Sequence, residues 1–221
     1  MRFDEVPAGN AGILSGLQKK TERGILRTSR RANVRGVFPT GSAVSVNALI
    51  EDFQMTIKVG DQLPDARLAE YVDVATEGCS VGPNKVMVHE QTKGKKIVIF
   101  AVPGAFTPTC SEQHAPGYIK LADQFKAKGV DEIWCVAVND PFVMGAWARD
   151  QKANGKVRFI ADGSGLFTKA LGLEFDLTKA GLGVRSQRYA MLVEDGVVKA
   201  LNVEDSGHLE SSTAEKMLEQ L

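Results

Sequence analysis

The side chain with the most chemistry to offer in this 221-residue chain is Cys110. It ends the stretch Pro103-Gly104-Ala105-Phe106-Thr107-Pro108-Thr109-Cys110, which follows an apolar run at 95–102 and precedes Ser111-Glu112-Gln113-His114. The run reads as a buried strand, and the residues after Cys110 as the opening of a helix. A cysteine in the first turn of a helix meets N–H groups that lack an intrahelical acceptor, and the positive end of the helix dipole. Both favour thiolate over thiol, and the thiolate is the reactive form. His114 lies four residues further on, on the same face of a regular helix. That pairing admits a Cys–His nucleophile for acyl transfer, or a share in a Cys/His metal site. The first would want an orienting acid and an oxyanion hole, the second three or four ligands at recognisable spacing, and the pattern announces neither. Cys135, within Glu132–Val138, has the setting of a core strand, where a cysteine packs as an inert small hydrophobe. Cys79 falls in the loop Gly78-Cys79-Ser80-Val81-Gly82-Pro83-Asn84 and reads as an exposed, incidental thiol.

The elements that must position these groups begin at Met55. Gly60-Asp61-Gln62-Leu63-Pro64-Asp65 is a turn-rich opening. Weak alternation over 66–72 and 85–90 predicts a hairpin. After the strand at 95–102 and the loop of Cys110, the apolar stripe Tyr118, Leu121, Ala122, Phe125 predicts a helix. Pro116-Gly117 should kink or break that helix near its start, and Lys128-Gly129 should end it. Glu132–Val138 predicts a central strand, and Asn139-Asp140-Pro141 a capped helix running to about Lys152. A short strand over 157–161 and a short helix over 164–171 follow. Strands at 189–194 and 197–203, joined by Asp195-Gly196, form a strong hairpin signal. A last helix runs from Ser211/Ser212 to Leu221, with Glu215 placed for a capping box on Ser212. This order predicts an α/β fold: a central mixed β-sheet flanked by helices on both faces.

Composition narrows the function. The chain carries 27 basic and 27 acidic side chains, but residues 55–221 hold 19 basic against 22 acidic, which gives no electrostatic case for nucleic acid. No apolar run reaches the roughly 18–20 residues of a membrane span. Three cysteines are too few for a secreted disulfide scaffold and suit a reducing compartment. Residues 1–54 differ in kind, with seven basic residues and one acid between Ile13 and Leu49 and no persistent helix or strand period. That composition resembles an organellar transit peptide, against which Asp4 and Glu5 count. The alternative is a poorly ordered extension, or a stretch upstream of a start at Met55. A start at Met55 implies a cytoplasmic protein, a cleaved transit peptide an organelle such as a plastid or mitochondrion.

The stretch from Pro103 to Ser111 resembles the active-site loop of the peroxiredoxins in their type II, peroxiredoxin-five-like form. The resemblance continues through Trp134–Met144, Gly183–Tyr189 and Val197–Glu204, covering nearly all of 55–221 and none of 1–54. It implies a thioredoxin-like fold and a thiol-dependent peroxidase that reduces hydrogen peroxide and alkyl hydroperoxides in cell redox homeostasis. It implies no metal or organic cofactor, and a homodimer as the common assembly. The Asp140–Val143 segment and the active-site loop, with exposed apolar residues, are the interface candidates. In that family the cysteine matching Cys110 attacks the peroxide and becomes a sulfenic acid. Thr107 matches the threonine that orients the peroxide, Pro103 the proline that shields the cysteine, and Arg188 the arginine that holds the thiolate. Each has a plainer reading: Thr107 a helix cap, Pro103 a turn former, Arg188 a surface ion-pair residue with Arg185 as rival for the cationic role. Many type II members carry a cysteine where Cys135 stands, proposed in some as a resolving thiol. The C-terminal cysteine that resolves the animal branch has no counterpart, this region reading His208-Leu209-Glu210-Ser211-Ser212. An external reductant is therefore expected, glutathione with glutaredoxin, or thioredoxin as the alternative. A thiol redox sensor or chaperone is the non-enzymatic alternative on the same fold.

Overall fold

The computed structural model describes residues 56–73, 81–205 and 207–221. The extension read over 1–54 and Cys79 lie outside the described residues. In chain order the elements are β1 (Arg67–Val72), β2 (Gly82–Met87), α1 (Val88–Thr92), β3 (Lys96–Ala101), α2 (Ala115–Ala127), β4 (Glu132–Ala137), α3 (Pro141–Asp150) and β5 (Arg158–Ala161). They continue with α4 (Leu166–Ala170), β6 (Glu174–Leu177), β7 (Gly183–Ser186), β8 (Tyr189–Glu194), β9 (Val197–Val203) and α5 (Ala214–Glu219). Seven strands form one sheet in the order β2-β1-β5-β4-β3-β8-β9. The three central strands are parallel and the flanking pairings antiparallel. The mixed sheet expected from the order of elements is therefore present.

Alternation along the central strands sorts the core into two layers. Val98, Phe100, Ile133, Cys135 and Ala137 face one side, where Tyr118, Phe125, Met144, Trp147 and Met217 pack from α2, α3 and α5. Ile97, Ile99, Ala101, Trp134 and Val136 face the other, against Val88 and Phe167 from α1 and α4. Burial on both faces explains why β3 and β4 read as unbroken apolar runs. Phe100 and Tyr118 stack with ring centroids 4.0 Å apart, and Tyr118 stacks in turn on Phe125 at 5.6 Å. These rings fix α2 on the sheet beneath Cys110; each such pair contributes about 1 kcal/mol beyond the area it buries. Arg158 of β5 bonds Glu70 of β1 and Glu132 of β4, tying three strands across the sheet.

Several local expectations are corrected. The second hairpin strand was expected over 85–90; it begins at Gly82 and stops at Met87, and the next five residues turn as α1 with Val88 buried under the sheet. Strand pairing with β1 outweighs the loop chemistry of Gly82-Pro83-Asn84. The last helix is capped by Thr213, whose hydroxyl accepts from Lys216 N–H; there is no capping box on Ser212. Ser212 is buried, and its hydroxyl donates instead to Glu204. The hairpin of β6 and β7 was not anticipated, because its four-residue strands sit among glycines and turn formers.

Candidate active site

β3 ends at Ala101, and Val102 N–H bonds Val136 O before the chain leaves the sheet. Two anchors shape the loop that follows. Ala105 N–H donates to Asn139 Oδ1 at 3.0 Å, and the Thr107 hydroxyl donates to Gly104 O at 2.9 Å. A Cβ on Gly104 would sit 3.2 Å from Arg185 Nη1 and 3.3 Å from Thr107 Cγ2, so a side chain here would crowd both neighbours. Phe106 takes a left-handed φ of 61°, uncommon for a bulky residue, and leaves its ring half exposed. The helix then starts at Pro108, whose missing N–H is harmless at a first helical position.

The kink expected at Pro116 takes a specific form. Pro116 has no N–H, and its ring crowds the carbonyl four residues back. The chain accommodates it with a π turn over Cys110–His114, in which Ala115 N–H reaches back to Cys110 O. α2 follows directly. Cys110 and His114 are both buried, at 0% and 1% exposure, and both face Arg188.

Arg188 arrives from the residue before β8, and its backbone carbonyl accepts from Glu204 N–H. Its Nη2 donates to Cys110 Sγ at 3.5 Å and its Nη1 meets His114 Nδ1 at 3.1 Å. A guanidinium is a donor at every nitrogen, so His114 Nδ1 must accept. That fixes the proton on Nε2, which donates to Ser212 O at 3.0 Å. Burial, reinforced by the Arg188 charge, pushes the His114 pKa down to about 3, so this imidazole stays neutral at physiological pH. Ser212 O also accepts from Tyr118 Oη at 2.8 Å. Glu204 Oε1 accepts from Glu210 N–H, Ser212 N–H and the Ser212 hydroxyl. Burial alone would raise the Glu204 pKa, but these bonds outweigh it and hold the carboxyl below its usual range. The chain Cys110, Arg188, His114, Ser212, Glu204 thus links the helix that bears Cys110 to the C-terminal segment.

Cys110 and Arg188 touch. Thr107 stands in the same loop with its hydroxyl donating to Gly104 O, and it is not the N-cap of the following turn. Pro103 lines a cleft that Arg188 also lines. Arg185 does not reach Cys110; its guanidinium donates to Leu182 O at 2.7 Å and Val138 O at 3.2 Å, and contacts Asn139 Oδ1 at 3.4 Å, bracing the loop from behind. Cys135 is fully buried in β4, in the same core layer as Cys110, and burial pushes its thiol pKa up, with Cys110 adding to the effect. His114 is neither a partner base for Cys110 nor one ligand of a metal group: its two nitrogens are taken by Arg188 and Ser212. Sequence reasoning missed Asn139 and Glu204. Asn139 was visible as the start of a helix cap within a family-like stretch, and Glu204 only as the last residue of another such stretch.

With this geometry in view, the comparisons with known proteins are unambiguous. The family model described as Redoxin matches residues 58–218. Rice Peroxiredoxin-2C is 51% identical over 168 residues, spanning 75% of this chain and 98% of the relative. Arabidopsis thaliana Peroxiredoxin-2E, chloroplastic, is 50% identical, spanning 75% of this chain and 70% of the relative. The crystal structure of reduced Prx3 from Vibrio vulnificus in complex with hydrogen peroxide superimposes with a TM-score of 0.69 at 52% identity, covering 75% of this chain and 99% of that one. The relatives include forms named chloroplastic and mitochondrial. This chain belongs to the Redoxin family and is a peroxiredoxin of the type II, peroxiredoxin-five-like kind, a thiol-dependent peroxidase.

Proposed function

We propose that Cys110 is the peroxidatic nucleophile and that Arg188, Thr107 and Pro103 complete its site. The observation that carries this reading is the Arg188 guanidinium, permanently charged and almost wholly buried, donating to a fully buried sulfur. A buried cation beside sulfur favours the thiolate. The thiolate attacks one peroxide oxygen; the S–O bond forms as the O–O bond breaks. Sulfur is oxidised by two electrons to the sulfenic acid, and the departing oxygen leaves as alkoxide or hydroxide and takes up a proton. Negative charge therefore grows on the departing oxygen, within reach of the guanidinium's donors. Because the Thr107 hydroxyl already donates to Gly104 O, its oxygen is left to accept, which suits it to a peroxide O–H. Pro103, half buried beside Arg188, keeps water from the thiolate. No metal or organic cofactor enters these steps.

Recycling falls to external thiols. A buried thiol with a raised pKa is a poor attacker, so Cys135 does not resolve the sulfenic acid. Glutathione with glutaredoxin does: one thiol displaces water from the sulfenic acid to give a mixed disulfide, and a second thiol releases Cys110. The protein acts as a homodimer, joined through Phe106, Phe142 and Leu166, three large apolar side chains that are 53%, 62% and 68% exposed around the active-site loop and the starts of α3 and α4. Residues 55–221 form the catalytic domain and 1–54 an extension, whose processing sets the address as cytoplasm or organelle.

Five measurements test this reading. Cys110→Ser should abolish peroxide consumption, and Thr107→Val should lower its second-order rate about 100-fold; a Cys110→Ser protein that still turned over would remove the cysteine from the mechanism. With glutathione and glutaredoxin, Cys135→Ser should keep wild-type turnover, whereas a stoichiometric Cys110–Cys135 disulfide after peroxide treatment would contradict external recycling. His114 provides a pH signature, since its depressed pKa means the unfolded chain takes up a proton that the native one refuses. Its contribution is complete above pH 6.5 and is lost as pH falls towards about 3. Between pH 6 and 4 the unfolding free energy of the wild type should therefore fall more steeply than that of His114→Gln, by about 1.4 kcal/mol per pH unit; parallel slopes would mean that His114 is protonated in place. Sedimentation of the native protein should give a dimer that Phe142→Glu dissociates, and the mass of its native N-terminus should match either a start at Met55 or cleavage near residue 54.

A further inference from the structure

Arg188 is steadied by His114, and His114 in turn leans on an acceptor that no helix or strand supplies. The imidazole Nε2–H and the Tyr118 hydroxyl both donate to Ser212 O, at 3.0 and 2.8 Å. Ser212 lies between β9 and α5, in a segment whose described residues form neither helix nor strand. One carboxylate oxygen fixes its conformation. Glu204 Oε1 accepts from Glu210 N–H at 2.8 Å, from Ser212 N–H at 2.6 Å and from the Ser212 hydroxyl at 2.8 Å. On the other side Thr213 caps α5, whose Met217 is buried in the core layer of Tyr118. Held from both sides, the Ser212 carbonyl is kept pointing at His114. Glu204 also donates its own backbone N–H to Arg188 O at 2.9 Å, so one residue grips the arginine by its main chain and the imidazole through Ser212.

Donor and acceptor chemistry gives this grip its consequence. A neutral imidazole carries one proton, and Arg188 can only donate, so the ring must keep that proton on Nε2. An Nε2–H buried away from water needs an acceptor, and Ser212 O is the one the fold provides. Without that acceptor the ring has room to turn, because His114 also lines a cleft of about 170 Å³ together with Gly117, Leu209 and Thr213. A ring turned into the cleft takes Nδ1 away from the guanidinium. We propose that Glu204 is a positioning residue for the peroxidase reaction: through Ser212 it holds His114 in the Nε2–H tautomer, and so keeps Arg188 aimed at Cys110. The proposal rests on the peroxidase reading of the same site. What matters is the place of the Glu204 oxygen, since all three of its donors are uncharged. A carboxamide oxygen at that place accepts the same three bonds.

The test pairs the second-order rate of hydrogen peroxide consumption with the imidazole nitrogen resonances of the histidine-labelled full chain, both at neutral pH. His89 and His208 are exposed, and His114→Gln identifies the remaining signal by removing it. In the wild type His114 should carry its proton on Nε2 alone. In Glu204→Ala the rate should fall about tenfold and the single-tautomer signature should be lost, and Glu204→Gln should recover most of both. Glu204→Asp keeps the charge but withdraws the oxygen by one methylene, so it should behave like Glu204→Ala and takes its place if the alanine variant does not fold. A rate loss with the Nε2–H tautomer intact would mean a merely structural role and would overturn the proposal. A wild-type rate in Glu204→Ala, or a Glu204→Gln as slow as Glu204→Ala, would overturn it equally. A wild-type protein that consumed no peroxide with its reductant would instead overturn the peroxidase reading, and the two failures are therefore distinguishable.

Discussion

A guanidinium held away from water between a sulfur and an imidazole is the constraint on which the rest of this structure depends. Arg188 cannot give up its proton, so every group around it must accept or carry negative charge. Cys110 answers with sulfur, and His114 answers with a bare Nδ1. The imidazole can do this only while neutral, and its burial together with the Arg188 charge keeps it so. An unpaired buried cation would cost several kcal/mol, so the sulfur and the imidazole are what make the burial of Arg188 tolerable. In the proposed mechanism, catalytic poise and local stability are thus the same interaction seen from two ends.

Bringing these groups together requires elements far apart in the chain. Cys110 comes from the helix after β3, Arg188 from the turn into β8, and Ser212 from the segment before α5. β3 and β8 are adjacent and antiparallel, with Ala101 opposite Tyr189, so the end of one strand and the beginning of the other meet at the same edge of the sheet. The π turn at Cys110 is the local adjustment that lets the helix start here despite Pro116. Glu204 and Ser212 then close the far side. The loop that bears Thr107 is braced by Asn139 and Arg185, neither of which reaches the sulfur.

Much of this was legible in the residues. The apolar runs of β3 and β4, the Asp195-Gly196 turn and the proline-capped α3 are local signals, and each produced the expected element. Cys110 was singled out by its place between an apolar strand and a helix, whereas Thr107 and Pro103 in the same short stretch took their proposed roles from the family likeness. Arg188, 78 positions away from Cys110, was named only through the family likeness, since no spacing rule links residues that sheet pairing brings together. His114 was noticed for its spacing to Cys110, but its role depends on Arg188 and could not be read from the helix alone. Ser212 was misassigned as a cap because local propensity says nothing of the Glu204 carboxylate that claims its hydroxyl. The hairpin of β6 and β7 was missed because its strands are too short for alternation to register.

Forming a thiolate does not by itself account for fast peroxide chemistry, because the nucleophilicity of a thiolate declines along with its basicity. In the proposed mechanism Arg188 therefore acts on the peroxide as well as on sulfur. The most direct test is the rate of Cys110 in Arg188→Lys towards two electrophiles, hydrogen peroxide and iodoacetamide, at one pH where the thiolate is formed in both proteins. The peroxide rate should fall at least 100-fold while alkylation changes by less than about fivefold, the gap being the donors lost to the breaking O–O bond. Equal losses with both reagents would mean that Arg188 serves only to form the thiolate, and would contradict the account.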